Sequence, residues 1–259
     1  MNGISTPTAD TGTLPRGSKR AFSLIELVIV VVMLVVIAAL LLPNIRSAGP
    51  AARRTQCRSN LKQIVIALRN YEDIYHALPP AYTVDAHGKR LHSWRALILP
   101  YLDQQGLYKQ IDFSKAWDDP ANAKAFAKGL DVYHCPEDRG PLDHTTYLAV
   151  VTPNSCLRPA KPRLLSEIKS PSSTVVVIEA DSEHAVHWMD PSDADEELVL
   201  GLNSKSALPH SGGLLVALVD GSVQYLNADI SPAIRRALIS TAEADKVALD
   251  AEAVKRALE

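Results

Sequence analysis

Three cysteines in 259 residues are too few for a disulfide scaffold, and no C-x-x-C pair suggests a zinc ribbon or a thiol redox motif. Aromatic residues make up only 5% of the chain, which weakens a glycan-binding reading. No basic excess exists either: the formal net charge is −2, which argues against a nucleic-acid partner. The chain has no internal repeat, no H-E-x-x-H and no G-x-S-x-G elbow. What it has in abundance is apolar side chains, 47% of the total, enough to bury a core in one or two domains. They are unevenly spread. From Leu27 to Leu42 every residue is apolar (LVIVVVMLVVIAALLL).

Phe22 to Leu42 is about the ~20 residues a helix needs to cross a hydrocarbon core. A cleaved signal peptide fits less well. The run is longer than a typical h-region, and Pro50 follows the nearest small-residue cluster, Ser47-Ala48-Gly49. A retained membrane helix is therefore expected. Its only charge is Glu26, and a carboxylate inside an apolar helix costs a few kcal/mol, so it needs a partner. If the chain began at Phe22, its new α-amine would be close enough to pair with Glu26 or with the Glu26 of a neighbouring subunit.

The stretch Arg20-Ala21-Phe22-Ser23-Leu24-Ile25-Glu26 resembles the prepilin peptidase site of type IV pilins and type II secretion pseudopilins. The resemblance implies a basic leader (Arg16, Lys19, Arg20) cut between Ala21 and Phe22 and methylation of the new N-terminus. It also implies assembly guided by Glu26. Ala21 stands where that family prefers glycine, and Pro43 falls where pilins often carry a kinking proline. Charge does not choose an orientation, because Arg46, Arg53, Arg54 and Arg58 follow the run. The resemblance implies a cytoplasmic N-terminus before processing and an extracytoplasmic C-terminal head.

Beyond Gly49 and Pro50, the residues Leu61, Ile64, Val65, Leu68 and Tyr75 recur at helical spacing, which predicts an amphipathic helix ended by Leu78-Pro79-Pro80. Trp94 to Leu102 reads as a short mixed segment around Pro100, and Asp119-Pro120 as the N-cap and first residue of a helix through Ala127. Thr174 to Ala180 (TVVVIEA) reads as a buried strand. Asp220-Gly221, between Leu214–Val219 and Ser222–Leu226, predicts a two-residue type I′ hairpin. Ser231-Pro232 opens a helix, and Ser240 with Glu243 offers a capping box for a last one.

A second resemblance covers most of the chain. Cys57-Arg-Ser-Asn-Leu-Lys-Gln, Ser93-Trp94-Arg95, Leu99-Pro100-Tyr101-Leu102, Trp117-Asp-Asp-Pro-Ala-Asn122 and His134-Cys135-Pro136 look like a large bacterial family of prepilin-headed proteins. That family carries a C-terminal H-X9-DG signature, here His210, Asp220 and Gly221. The resemblance implies an architecture and a secretion-type origin, not an activity.

Three constellations bear on chemistry. Asp181 to Asp190, with His184 and His187, is the densest set of ligand-type side chains; it follows a strand and is read as a solvated loop, with no metal expected. Asp143-His144 with Ser155 or Ser211 lacks the context of a nucleophile site. In the oxidising compartment that the topology implies, Cys135 and Cys156 are expected to pair, with Cys57 a small buried apolar residue.

The expectation is an α+β protein with a long N-terminal transmembrane and amphipathic helix, a pilin-like stalk, and an extracytoplasmic head built on an antiparallel sheet. The segments are a leader (1–21), a stalk helix (22–77), a head (78–230) and a C-terminal helical tail (231–259). The expected role is a pseudopilin-like structural or assembly subunit of a type II secretion- or type IV pilus-like system, single-pass in the cytoplasmic membrane, with no catalytic residues and no cofactor. Its partners are the membrane, prepilin peptidase and like or related subunits, and no nucleic acid. The alternatives are a membrane-tethered module that binds a solute or glycan and, behind it, a tethered hydrolase or metalloenzyme.

Overall fold

The apolar run forms helix α1, Leu24–Leu41 (LIELVIVVVMLVVIAALL). The structure, a computed structural model, describes residues 24–41, 49–242 and 257, and the chain divides into two units, Met1–Ser47 and Ala48–Glu259. In the first unit, Leu24, Ile25 and every residue from Leu27 to Met33 are 47–81% exposed, in a helix whose sequence is apolar on every side apart from Glu26. At 1.5 Å per residue its 18 residues span about 27 Å, short of a ~30 Å hydrocarbon core. Among the described residues no helix is long and apolar enough to cross a membrane. Ala21, Phe22, Ser23 and Leu42, and with them the expected processing site, lie outside the described residues.

The second unit begins with α2, Pro50–Tyr75, with proline in the first turn, where its missing N–H costs nothing. His76 ends the helix in the left-handed conformation (φ 57°), its N–H donating to Glu72 O at 2.7 Å. Short elements follow: β1 (Tyr82–Val84), β2 (Arg90–Ser93), α3 (Trp94–Leu97), α4 (Gln105–Tyr108), α5 (Ala123–Phe126), β3 (His144–Thr145), β4 (Tyr147–Ala149), β5 (Val175–Glu179) and β6 (Val186–His187). The chain closes with α6 (Glu196–Gly201), β7 (Gly213–Leu218), β8 (Val223–Asn227) and α7 (Pro232–Ile239). The fold is α+β. Its centre is an antiparallel sheet in the order β4-β5-β7-β8, beside two small two-stranded pairs, β1-β2 and β3-β6.

Both faces of the sheet are covered, which is why β5 and β7 are buried at every position. Alternation along β7 sorts the layers. Leu215, Ala217 and Val219 join the core under α2 with Cys57, Leu61, Ile64 and Leu68, whereas Leu214, Val216 and Leu218 meet Val199 and Leu202 of the α6 region and Leu238 and Ile239 of α7. In β5 the register against β7 shifts between Val175 and Val177, so Val176 and Val177 both face the α2 side while Val175 and Ile178 face the other. That bulge sets the phase of the strand end and puts Glu179 opposite Tyr147, on the α2 side.

Two of the expected segments pack into the second unit. The Pro50–Tyr75 part of the expected stalk belongs to the globular unit, because its apolar face is covered by the sheet. The first helix of the expected tail is also built into the core: Ser231 Oγ accepts from Ile234 N, as its capping role predicts, and Leu238 and Ile239 are buried. Glu243, the second half of the expected capping box, lies outside the described residues. The Asp119-Pro120 start is as expected, with Asp119 accepting from Ala121 N.

The Asp220-Gly221 hairpin forms, but not as a two-residue type I′ turn. Gly221 N donates to Leu218 O at 3.0 Å and Leu218 N to Ser222 O at 2.9 Å, and Gly221 alone of the turn residues has positive φ, 91°. This is a three-residue loop of type I turn plus left-handed glycine, in which Asp220 Oδ1 accepts from Ser222 N and Oγ at 2.8 and 2.7 Å. Val219 is thereby held in the core, its N–H donating to Thr174 O at 3.0 Å.

One cation locks the interior. The Arg95 side chain is fully buried, with Nη1 2.6 Å from Asp193 Oδ1. Nε donates to Trp188 O (3.1 Å), Nη1 also to Tyr147 O (3.4 Å), and Nη2 to Asp190 O and Ser192 O (3.1 and 2.9 Å). Asp193 Oδ1 accepts in addition from Trp94 Nε1 and Ala149 N. The planar fork of arginine meets five acceptors that a single ammonium could not reach.

Candidate functional site

Cys57 lies on the buried face of α2, and Cys135 follows the tight turn Asp131–Tyr133. Two tethers on α2 hold the Cys135 segment against it. Asn60 Nδ2 donates to Asp131 O and His134 O, both at 3.0 Å, and Arg53 Nε pairs with Glu137 Oε1 at 2.9 Å. With Arg53 and Asn60 about one turn either side of Cys57, the two cysteines are brought to a Cα–Cα distance of 5.3 Å and form a disulfide. The expected Cys135–Cys156 pair is therefore replaced by Cys57–Cys135. Cys156 keeps a buried thiol whose Sγ is 3.6 Å from Val175 O. Sequence distance alone favoured the nearer cysteine; the Asn60 and Arg53 tethers select the farther one.

Two more side chains close on the disulfide. His210, in the lead-in to β7, is buried with Nε2 3.9 Å from Cys135 Sγ and 3.3 Å from Glu179 Oε2. Glu179 is 0% exposed, and neither carboxyl oxygen completes a hydrogen bond; the Leu215 N–H faces it without closing one. Burial pushes the Glu179 carboxyl up to about 8, with the Leu215 N–H and Arg54 opposing and Asp138 and Glu137 assisting. Burial, assisted by Arg54 and opposed by Glu137, takes His210 down to about 4. Both shifts favour the uncharged forms of the two groups. Cys57, Cys135, Glu179 and His210 place one donor atom each within 4.8 Å of one another, the one such set of three or more metal-type donors found among the described residues. A cavity of about 420 Å³ lined by Arg54, Glu137, Pro209, His210 and Ser211 leads to the imidazole.

The approach to His210 is shaped by its neighbours. The Arg54 guanidinium sits 4.4 Å over the Tyr225 ring, and Tyr225 Oη donates to Ser211 O at 2.6 Å. That ring lies over Gly213, where any Cβ would collide with it and with the Leu226 carbonyl. At the far end of β7, Lys62 Nζ donates to Gly221 O at 2.5 Å. The signature residues therefore do not meet. His210 belongs to the buried cluster, whereas exposed Asp220 and buried Gly221 form the turn at the other end, and α2 contacts both ends.

The other constellations are dispersed. His184 Nδ1 pairs with Asp181, but His187 is turned inward: its Nε2 donates to Phe126 O at 3.0 Å, its Nδ1 accepts from Met189 N at 3.1 Å, and its ring stacks on Phe126 at 4.1 Å. With both nitrogens engaged, His187 has none left for an ion shared with His184. His144 Nδ1 is 2.8 Å from Asp143, while Ser155 Oγ accepts from Thr152 N and lies 3.0 and 2.9 Å from the Thr152 and Leu157 carbonyls, its one proton shared between them. A separate groove of about 640 Å³ is lined by Gln56, Gln63, Gln104, Gln110, Asn60 and Lys128 among others.

Sequence reasoning missed Cys57, Glu179 and Arg95. For Glu179 a signal existed, a lone carboxylate ending the apolar run TVVVIEA; for Cys57 and Arg95 the deciding partners are far along the chain.

Residues 46–161 match the model of a family described as a protein of unknown function (DUF1559). No curated protein and no solved structure matches the chain.

Proposed function

We propose that the chain is a pseudopilin-like structural subunit, cut between Ala21 and Phe22 by prepilin peptidase and anchored in the cytoplasmic membrane by the apolar segment that contains α1. The unit from Ala48 onward is then its extracytoplasmic head, and like or related subunits assemble with it through α1 and Glu26. The observation that carries this reading is α1 itself. The exposed apolar side chains of Leu24, Ile25 and Leu27 to Met33, in a helix whose sequence is otherwise apolar but for Glu26, are not left in water; lipid or like helices must cover them. Glu26 is unnecessary in a passive anchor and gives assembly a charge to recognise. The Cys57–Cys135 disulfide fits a head that faces an oxidising compartment. The H-X9-DG residues act structurally in this reading, His210 in the core and Asp220-Gly221 at a turn.

A second reading, a tethered solute-binding module, rests on the amide-lined groove beside α2 and α4, whose donors and acceptors suit a polar solute. The two are separated by cross-linking in membranes. Glu26→Val should insert and yet lose the multimers formed by the parent chain. Wild-type multimers from the variant would remove the assembly role and favour the tethered module.

A further inference from the structure

We propose that Cys57, Cys135, His210 and Glu179 form a four-ligand zinc site when the two cysteines are reduced, so that one buried position is closed either by a disulfide or by a metal ion. The donor set is one that zinc takes tetrahedrally: two thiolates at about 2.3 Å, an imidazole nitrogen at about 2.0–2.1 Å and a carboxylate oxygen at about 2.0–2.2 Å. A tetrahedron of those bonds has edges of about 3.3–3.8 Å. The four donor atoms already lie within 4.8 Å of one another, so the site needs the sulfurs to part and the other two donors to close by about an ångström.

The second observation is the carboxyl of Glu179, fully buried on the α2 side of the sheet with no hydrogen bond to either oxygen. A buried carboxyl whose oxygens close no hydrogen bond, with the His210 imidazole 3.3 Å away, costs free energy and calls for an explanation, and an ion shared by Glu179, His210 and the two sulfurs supplies one. The four donors come from four separately held segments. Cys57 is on α2, Cys135 on the segment tethered through Asn60 and Glu137, Glu179 at the end of β5 and His210 ahead of β7. The cavity beside Arg54 and His210 provides the entry path that a buried site requires.

The chemistry balances with a dithiol as the named reductant. The Cys57–Cys135 bond takes two electrons and two protons to become two thiols, and the reductant becomes its own disulfide. Zinc binding then releases the two thiol protons, and the Glu179 proton where present, to water. In reverse, thiol–disulfide exchange removes two electrons from the thiolates, re-forms the S–S bond and expels the ion. The inference does not depend on the pseudopilin reading.

The test uses the full chain in detergent, oxidised or reduced anaerobically with a phosphine, and titrated with cobalt(II) and then zinc. The reduced chain should take up one cobalt per chain with a thiolate-to-cobalt charge-transfer band and the intense visible bands of a tetrahedral site, and zinc should abolish both. The oxidised chain should take up none, and Cys156→Ser should behave as the parent. Glu179→Gln, close in shape and able to stay folded, should lose stoichiometric uptake, as should His210→Ala. No stoichiometric uptake by the reduced parent chain, uptake without a thiolate band, or undiminished uptake by Glu179→Gln would overturn the proposal.

Discussion

Replacing Arg95 with methionine keeps an unbranched apolar stem and deletes the guanidinium with its charge and all its donors. In the structure this leaves the buried Asp193 carboxylate with its bonds from Trp94 Nε1 and Ala149 N but no countercharge. Breaking a buried ion pair in this way costs about 3–5 kcal/mol. The carbonyls of Trp188, Asp190 and Ser192 lose a donor as well, each worth about 1 kcal/mol unless water replaces it. A loss of at least ~4 kcal/mol is therefore expected, most of the stability of a domain that has ~5–15 kcal/mol. Arg95→Lys should recover only a minor part, because one ammonium cannot serve five acceptors. Denaturant unfolding followed through the buried Trp94 and Trp188 reads the effect directly. Adding Asp193→Asn to Arg95→Met should cost far less than Asp193→Asn alone, with a coupling of about 2–3 kcal/mol. A loss below ~1 kcal/mol for Arg95→Met, or a cycle that adds to within ~0.5 kcal/mol, would refute the lock.

Three further outcomes are expected. His92, His187 and His210 are all lowered from 6.5 by burial, so the unfolded chain binds protons that the folded one refuses, and the three outweigh the opposite effect of Glu179, raised to about 8; thermal stability of the full chain should fall as pH drops through 6.5, and a flat profile from about pH 6.5 to about 5 would contradict the buried neutral rings. Peptide mapping without reduction should find Cys57 joined to Cys135 and Cys156 as a thiol, and with a separation of 78 residues the loss of the bridge in Cys57→Ser should cost about 4.5 kcal/mol in the chain-entropy account. Gly213→Ala should destabilise by about 1–3 kcal/mol through collision with Tyr225 and the Leu226 carbonyl, and a neutral result in denaturant unfolding would mean that the ring moves aside at no cost.

What was legible in the sequence was local. Helical spacing located the buried face of α2, β-branched density located β5, and capping residues located the start of α7. The Asp-Gly pair located a hairpin but not its loop type, because the turn is set by Gly221 alone taking positive φ while Asp220 bonds Ser222. What stayed hidden depends on partners distant in sequence. The cysteine pairing follows from Asn60 and Arg53 reaching the segments around Cys135, and the inward aim of Glu179 follows from a one-residue bulge that no alternation pattern announces. Arg95 stands out in the sequence only as part of Ser93-Trp94-Arg95, and its burial shows only where Asp193 and four backbone carbonyls surround it. His184 and His187 illustrate the converse, neighbours at a ligand-like spacing whose side chains take different partners because β6 turns His187 toward Phe126.

The central claim, that this is a processed, membrane-anchored pilin-like subunit, is tested most directly at the N-terminus of the mature chain. The measurement is intact mass with N-terminal sequencing of protein extracted from membranes of a host with an active prepilin peptidase. The account predicts a chain that begins at N-methylated Phe22. A chain that retains Met1, or one cut beyond Leu42 so that α1 is lost, would contradict it.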